Sequence, residues 1–132
     1  MAGKLHFELV SPERLLLSED VDMVTAPGKE GEFGVLAGHA PFMTVIKPGI
    51  VVIEEHGRPQ RKIFVRGGFA EVTPEGLTIL AEYAVPIENF GAEELKTEVA
   101  RANEALAAAQ DDEARLAHQE TLDHLWLLHT VV

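Results

Sequence analysis

The chain has no cysteine. That absence excludes a disulfide scaffold, a thiolate metal site and a cysteine nucleophile together. Basic residues are few: 11 Lys and Arg stand against 22 Asp and Glu, a net charge of −11. Such a field repels phosphate backbones and anionic lipid, so nucleic acid and direct lipid insertion are not expected. No apolar run approaches the roughly 18 residues of a membrane span. The opening Met-Ala-Gly-Lys-Leu-His-Phe-Glu carries no apolar stretch of signal-peptide length. A soluble chain is expected, working where it is made, most simply in a bacterial cytoplasm. With 132 residues, 46% of them hydrophobic, it is long enough for one domain or a small domain with an appendage, and apolar enough to bury a core.

Glycine and proline are missing from one end. All seven prolines precede residue 87 and all eleven glycines lie at or before Gly91, whereas the 41 residues beyond hold nine alanines. Gly and Pro punctuate turns and cost about 1 and 3 kcal/mol inside a helix relative to Ala. The architecture therefore changes near residues 88–91. Before that point, short Val- and Ile-rich runs alternate with turn signals. They are Leu5–Val10, Val21–Ala26, Phe42–Ile46, Ile50–Glu54, Arg61–Val65, Phe69–Val72 and Leu77–Ala81. Residues 1–88 read as an antiparallel β-sandwich of about eight to ten strands.

Residues 89–132 read as an antiparallel helical hairpin, with helices over about 92–109 and 113–130. Leu95, Val99, Ala102, Leu106 and Ala109 form one helical stripe, and Ala114, Ala117, Thr121, Leu125, Leu128 and Val132 a second. Either Asp111 or Asp112 can cap the second helix. The fold class is α+β by content. Alanine-rich stripes bury little, about 0.8 kcal/mol per methyl group, so the hairpin is expected to be held weakly.

Catalytic patterns are scarce. The two serines, Ser11 and Ser18, lack a nucleophile-elbow context, and the six histidines offer neither His-Glu-x-x-His nor an i, i+4 pair in the tail. No metal site and no cofactor are expected, and no converging acid, base and nucleophile is visible. The glycine-rich stretch Gly28–Gly38 matches neither a P-loop nor a dinucleotide fingerprint, and reads as tight turns between strands.

Val-Ser-Pro-Glu (10–13), Gly-Glu-Phe-Gly-Val-Leu-Ala-Gly-His-Ala-Pro (31–41) and Lys-Pro-Gly (47–49) occur in that order along the chain. Val-Arg-Gly-Gly-Phe-Ala-Glu-Val (65–72) and Leu-Thr-Ile-Leu-Ala-Glu-Tyr-Ala (77–84) follow. Together they resemble the ε-subunit family of F-type ATP synthases, over essentially the whole length. The resemblance implies a non-catalytic rotor subunit, peripheral at the cytoplasmic face of the inner membrane, that couples c-ring rotation to ATP synthesis. Its partners would be the γ subunit, the c-ring and, through the hairpin, the α/β catalytic hexamer.

Carried over by position, Lys29, Glu30, Gly31, Glu32 and Phe33 would face the c-ring, and Ser11, His39, Met43 and Thr44 would face γ. Plainer readings stand beside these. His39 could simply close a turn, and Glu30 and Glu32 could be ordinary solvated charge. Leu125-Trp126-Leu127-Leu128 could be a partner surface or could pack on the sandwich. ATP-binding relatives carry Ile/Leu-Asp-x-x-Arg-Ala where this chain has Leu95-Lys96-Thr97-Glu98-Val99-Ala100. With Lys96 and Val99 there, regulatory ATP binding is expected to be weak or absent. Beyond Glu113 the only Arg or Lys is Arg115, so the hairpin is expected to inhibit hydrolysis little. The competing reading is a stand-alone nucleotide-sensing module, and a third is a small hydrolase.

Overall fold

The computed structural model describes residues 4–128, and of residues 124 and 126–128 the backbone alone. Eight strands come first: β1 (Leu5–Val10), β2 (Leu15–Val21), β3 (Met23–Gly28), β4 (Gly31–Leu36), β5 (Phe42–Val45), β6 (Gly49–Glu54), β7 (Arg61–Val72) and β8 (Gly76–Pro86). They hydrogen-bond in the order β2-β1-β8-β7-β6-β3-β4, with β5 attached to β7. All pairs are antiparallel except β1–β8, which runs parallel. That one pair departs from the all-antiparallel sandwich read from the sequence.

The expected runs Arg61–Val65 and Phe69–Val72 are one strand. The first half of β7 pairs with β6 and the second half with β5, along the same edge, while β8 follows it from Ile63 to Val72. Gly67 and Gly68 stand at the changeover with φ of 69° and 114°, which only glycine adopts without strain. The chain can therefore bend there and let one continuous sheet serve both layers.

Two strands escaped the sequence reading. In β2, Leu15-Leu16-Leu17 breaks strict alternation, and β4 is half of the glycine-rich stretch read as turns. Gly34 indeed lies within β4, and the turn conformations fall on Gly31 and Gly38. Leu5, Phe7 and Leu9 of β1, Val24 of β3, Ile53 of β6 and Ile79 of β8 meet in the core. Period-2 alternation puts them there.

At one corner of the sandwich, Lys4 lies 2.8 Å from Asp22, whose second oxygen accepts the backbone N–H of His56 at 2.5 Å. The Lys4 hydrogen bond first, and the His56 N–H second, hold the Asp22 carboxyl below its ordinary range. Arg61 pairs with Glu19 and, at 3.5 Å, with Glu55, fastening β7 to β2 and to the end of β6.

Residues Met1–Pro86 form one compact unit and Ile87–Val132 a second. In the second, α1 (Ala92–Ala108) and α2 (Asp112–Leu128) pack on one another. The Glu94 carboxylate accepts the N–H of Gly91 at 3.0 Å and so satisfies one orphan donor at the start of α1. Of the two candidate caps for α2, Asp111 is used: its Oδ1 accepts the N–H of Ala114 at 2.7 Å. In α1 the buried positions are Leu95, Glu98 and Ala102, with Val99, Leu106 and Ala109 half-buried. In α2 they are Leu122 and Leu125, while Ala117, assigned to the apolar stripe, is exposed. The side chains of Trp126, Leu127 and Leu128, and Val132 entirely, lie outside the described residues. Among the described residues, no helix is long and apolar enough to cross a membrane.

Candidate functional site

Register places five apolar side chains in one line across the outside of the sheet. Val45 of β5 is opposite Phe69 of β7, Phe69 opposite Leu80 of β8, Leu80 opposite Val10 of β1, and Val10 opposite Leu15 of β2. The neighbours of these residues along each strand point into the core, so alternation turns the line outward. Phe69 is 54% exposed, Leu80 52% and Leu15 54%; Met43, two residues from Val45 on the same face of β5, is 63% exposed. This contiguous apolar line makes the face a candidate contact surface.

Ser11 borders this patch. It opens the β1–β2 turn, where its N–H donates to the Arg14 carbonyl at 2.9 Å, and it lines a shallow groove with Phe69 and Leu80. Met43 shares the outward face. Thr44 does not: it sits opposite the buried Ala70, faces the inner side of β5, and its hydroxyl donates to the Val45 carbonyl at 3.4 Å. His39 lies between β4 and β5, with Nδ1 donating to the Ala40 carbonyl at 2.7 Å and its backbone N–H to Leu36 at 3.2 Å. Those are the bonds of a residue that closes a turn. Of the four residues grouped from the sequence, the fold joins Ser11 and Met43 to one face and turns Thr44 from it.

The second group forms the β3–β4 hairpin. Gly28 and Gly31 are paired and Lys29-Glu30 makes the two-residue tip. Gly31 has a φ of 129°, open to glycine but strained for other residues. The tip is tied down by the Lys29 N–H on the Val45 carbonyl at 2.8 Å and the Lys47 N–H on Pro27 at 3.0 Å. Lys29, Glu30 and Glu32 are exposed. Phe33 is turned inward, half-buried against the core and edge-on to Phe42 with ring centroids 5.3 Å apart. The hairpin thus presents charge to solvent and keeps its aromatic ring for support.

One convergence was missed in the sequence. β1–β2 pairing brings Ser18 Oγ to 3.4 Å from His6 Nε2, and His6 Nδ1 to 2.9 Å from Asp20. This is the order of groups in a serine hydrolase, assembled from residues 12 and 14 positions apart that no linear motif links. It lies on an exposed strand surface. His6 and Asp20 are 48% and 65% exposed to water, whereas the largest contribution to such chemistry comes from donors preorganised in a water-excluded site. The described residues contain no cluster of three or more His, Asp or Glu able to hold a metal.

Residues 4–87 match the family described as ATP synthase, Delta/Epsilon chain, beta-sandwich domain. Over 132 residues the chain is 55% identical to the ATP synthase epsilon chain of Parvibaculum lavamentivorans, covering 99% of this chain and 100% of that one. It is 44% identical to the ATP synthase epsilon chain of Mesorhizobium japonicum, covering 100% and 98%. Among solved structures, the Euglena gracilis mitochondrial ATP synthase (OSCP/F1/c-ring) contains a chain that superposes with a TM-score of 0.74 at 27% identity. That match covers 99% of this chain and 82% of the other. A chain of the Tetrahymena thermophila mitochondrial ATP synthase central stalk and c-ring shares the fold, with a TM-score of 0.67 at 16% identity over 96% of each.

Proposed function

The chain belongs to the ATP synthase epsilon chain family, and from that premise we propose that it is the small, non-catalytic rotor subunit of the synthase's central stalk. The observation that carries this reading is the exposed line Val45–Phe69–Leu80–Val10–Leu15 with Met43 beside it. An apolar band on a chain of net charge −11 is suited to a lasting contact with a larger protein, because burying it removes apolar area from water without stripping charges. In this reading the band and Ser11 face the γ subunit, with His39 and Thr44 contributing at most through the loop and backbone around them. The exposed Lys29, Glu30 and Glu32 of the β3–β4 hairpin face the polar loops of the c-ring, with Gly31 and Phe33 as the frame that holds them.

The subunit then transmits c-ring rotation to the catalytic sector as a peripheral component at the cytoplasmic face of the inner membrane. The α1–α2 hairpin would reach toward the α/β hexamer as a weak regulator of hydrolysis. The test mixes the purified chain with a γ-containing catalytic complex stripped of its own small rotor subunit and follows co-elution on gel filtration. Wild type is expected to co-elute at micromolar concentration. Phe69→Ser combined with Leu80→Ser is expected to abolish co-elution with an unchanged far-UV spectrum, because both side chains are exposed in the free chain. Co-elution of the double variant at wild-type strength would rule out this surface.

A further inference from the structure

Where β1 ends, β8 continues alone. The parallel ladder runs from His6↔Gly76 to Val10↔Leu80, and the Ser11–Arg14 turn then carries the chain away toward β2. β8 goes on to Pro86, paired by β7 on one side. Among the described residues, no strand occupies the other side of Ala81–Pro86. Alternate N–H and C=O groups along that stretch therefore have no ladder partner, the usual condition for accepting a strand from another chain.

The vacancy has walls. A cavity of about 340 Å³ lies along it, with Ser11, Pro12 and Arg14 on one side and Glu82, Tyr83 and Ala84 on the other. It shares Ser11, Pro12 and Glu82 with a second cavity of about 300 Å³ that reaches Phe69 and Leu80 in the apolar line. The Tyr83 ring is held against Phe64, with centroids 6.3 Å apart, and beneath the Arg66 guanidinium, 4.8 Å from its centre. Both cavities are open at the surface and continuous with the proposed stalk contact.

Charge selects the occupant. The Glu13 and Glu82 carboxylates flank the groove, and neither has an ion-pair partner among the described residues. Arg14 is the single cation lining it. A second copy of this chain would bring another −11 of charge and set its own Glu82 against the same acidic rim. A partner segment carrying both apolar and basic side chains meets both features, the apolar residues toward Phe69 and Leu80 and the basic ones toward Glu13 and Glu82.

We propose that the free edge of β8 over Ala81–Pro86 is a strand-addition site, filled by an extended segment of the stalk partner that carries apolar and basic residues. The proposal rests on the stalk reading and adds the manner of attachment, through backbone hydrogen bonds in line with β1. Glu82 is its specificity-determining residue.

The test is residue-resolved hydrogen exchange of the full chain, alone and assembled with the catalytic complex stripped of its small rotor subunit. In the free chain, alternate amides between Glu82 and Val85 are expected to exchange quickly. On assembly those same amides slow by at least about tenfold while the intervening ones, already bonded to β7, change little. Glu82→Lys, at an exposed position, is expected to weaken assembly by about tenfold. Assembly that leaves these amides fast, or a Glu82→Lys variant that assembles like wild type, overturns strand addition and leaves the stalk reading intact. Failure to assemble removes both. Protection that appears in the chain alone as its concentration rises assigns the edge to a second copy, and the proposed occupant is wrong.

Discussion

Gly68 lies so close to the carbonyl oxygen of Leu80 that no β-carbon fits between them. The two residues belong to adjacent strands at the point where β7 changes partner from β6 to β5, and both adjoin the groove beside Ser11. Shape at the candidate interface therefore depends on a missing side chain.

Gly68→Ala combines a steric clash with backbone and a φ of 114° that alanine does not tolerate. A loss of about 3 kcal/mol or more is expected, seen as a lower urea midpoint of the sandwich. Gly38→Ala is the control. Its φ of 78° is also unfavourable, but nothing stands within 4 Å, so the loss is expected near 1–2 kcal/mol. Equal midpoints for the two variants would remove the packing argument.

Asp22 gives the sandwich an acid-sensitive corner. Its carboxyl is held low by Lys4 and by the His56 N–H, so the folded chain binds this proton less readily than the unfolded one. The stabilisation is therefore present in full above the unfolded pKa, near 3.9, and is lost as pH falls through the lower folded value. Asp22→Asn is expected to destabilise the chain at pH 7 and by a smaller margin at pH 3. Denaturation curves at the two pH values check this, and a difference that grows on acidification has the wrong sign.

The α2 cap can be assigned by substitution. Asp111→Ala removes the acceptor for the Ala114 N–H and a negative charge at the helix start, at an expected cost of about 1 kcal/mol. Asp112→Ala also removes a first-turn charge, with an exposed pair to Arg115 at 3.0 Å, but no cap, and is expected to cost less, about 0.5 kcal/mol. Thermal melting followed at 222 nm should rank the two. The reverse ranking would move the cap to Asp112.

The ATP and inhibition expectations concern α1 and the tail. Lys96 is exposed and Val99 half-buried, and valine offers no donor to a phosphate or a purine. Calorimetric titration is expected to show no sub-millimolar ATP binding. Removing residues 91–132 within the assembled catalytic complex is expected to change its ATPase rate by less than about twofold, since the hairpin has few cations to engage an acidic partner. A several-fold rise would show that the hairpin inhibits after all.

The two compositions, glycine and proline before Gly91 and alanine after it, announce a β body and a helical tail because they act through local backbone cost. Period-2 alternation likewise announces β1, β6 and β8, whose inward faces are buried from both neighbours. The ordered short motifs gave the family. Local signals failed where long-range pairing decides. Leu15-Leu16-Leu17 becomes a strand because β1 pairs with it, Ser18, His6 and Asp20 meet across that same pair, and Thr44 is turned from Met43 by the pleat of β5. The apolar line is the clearest case. Val10, Leu15, Val45, Phe69 and Leu80 are scattered over five strands and look like core residues one at a time. Only the register between strands, which depends on contacts far apart in sequence, sets them side by side on the outer face.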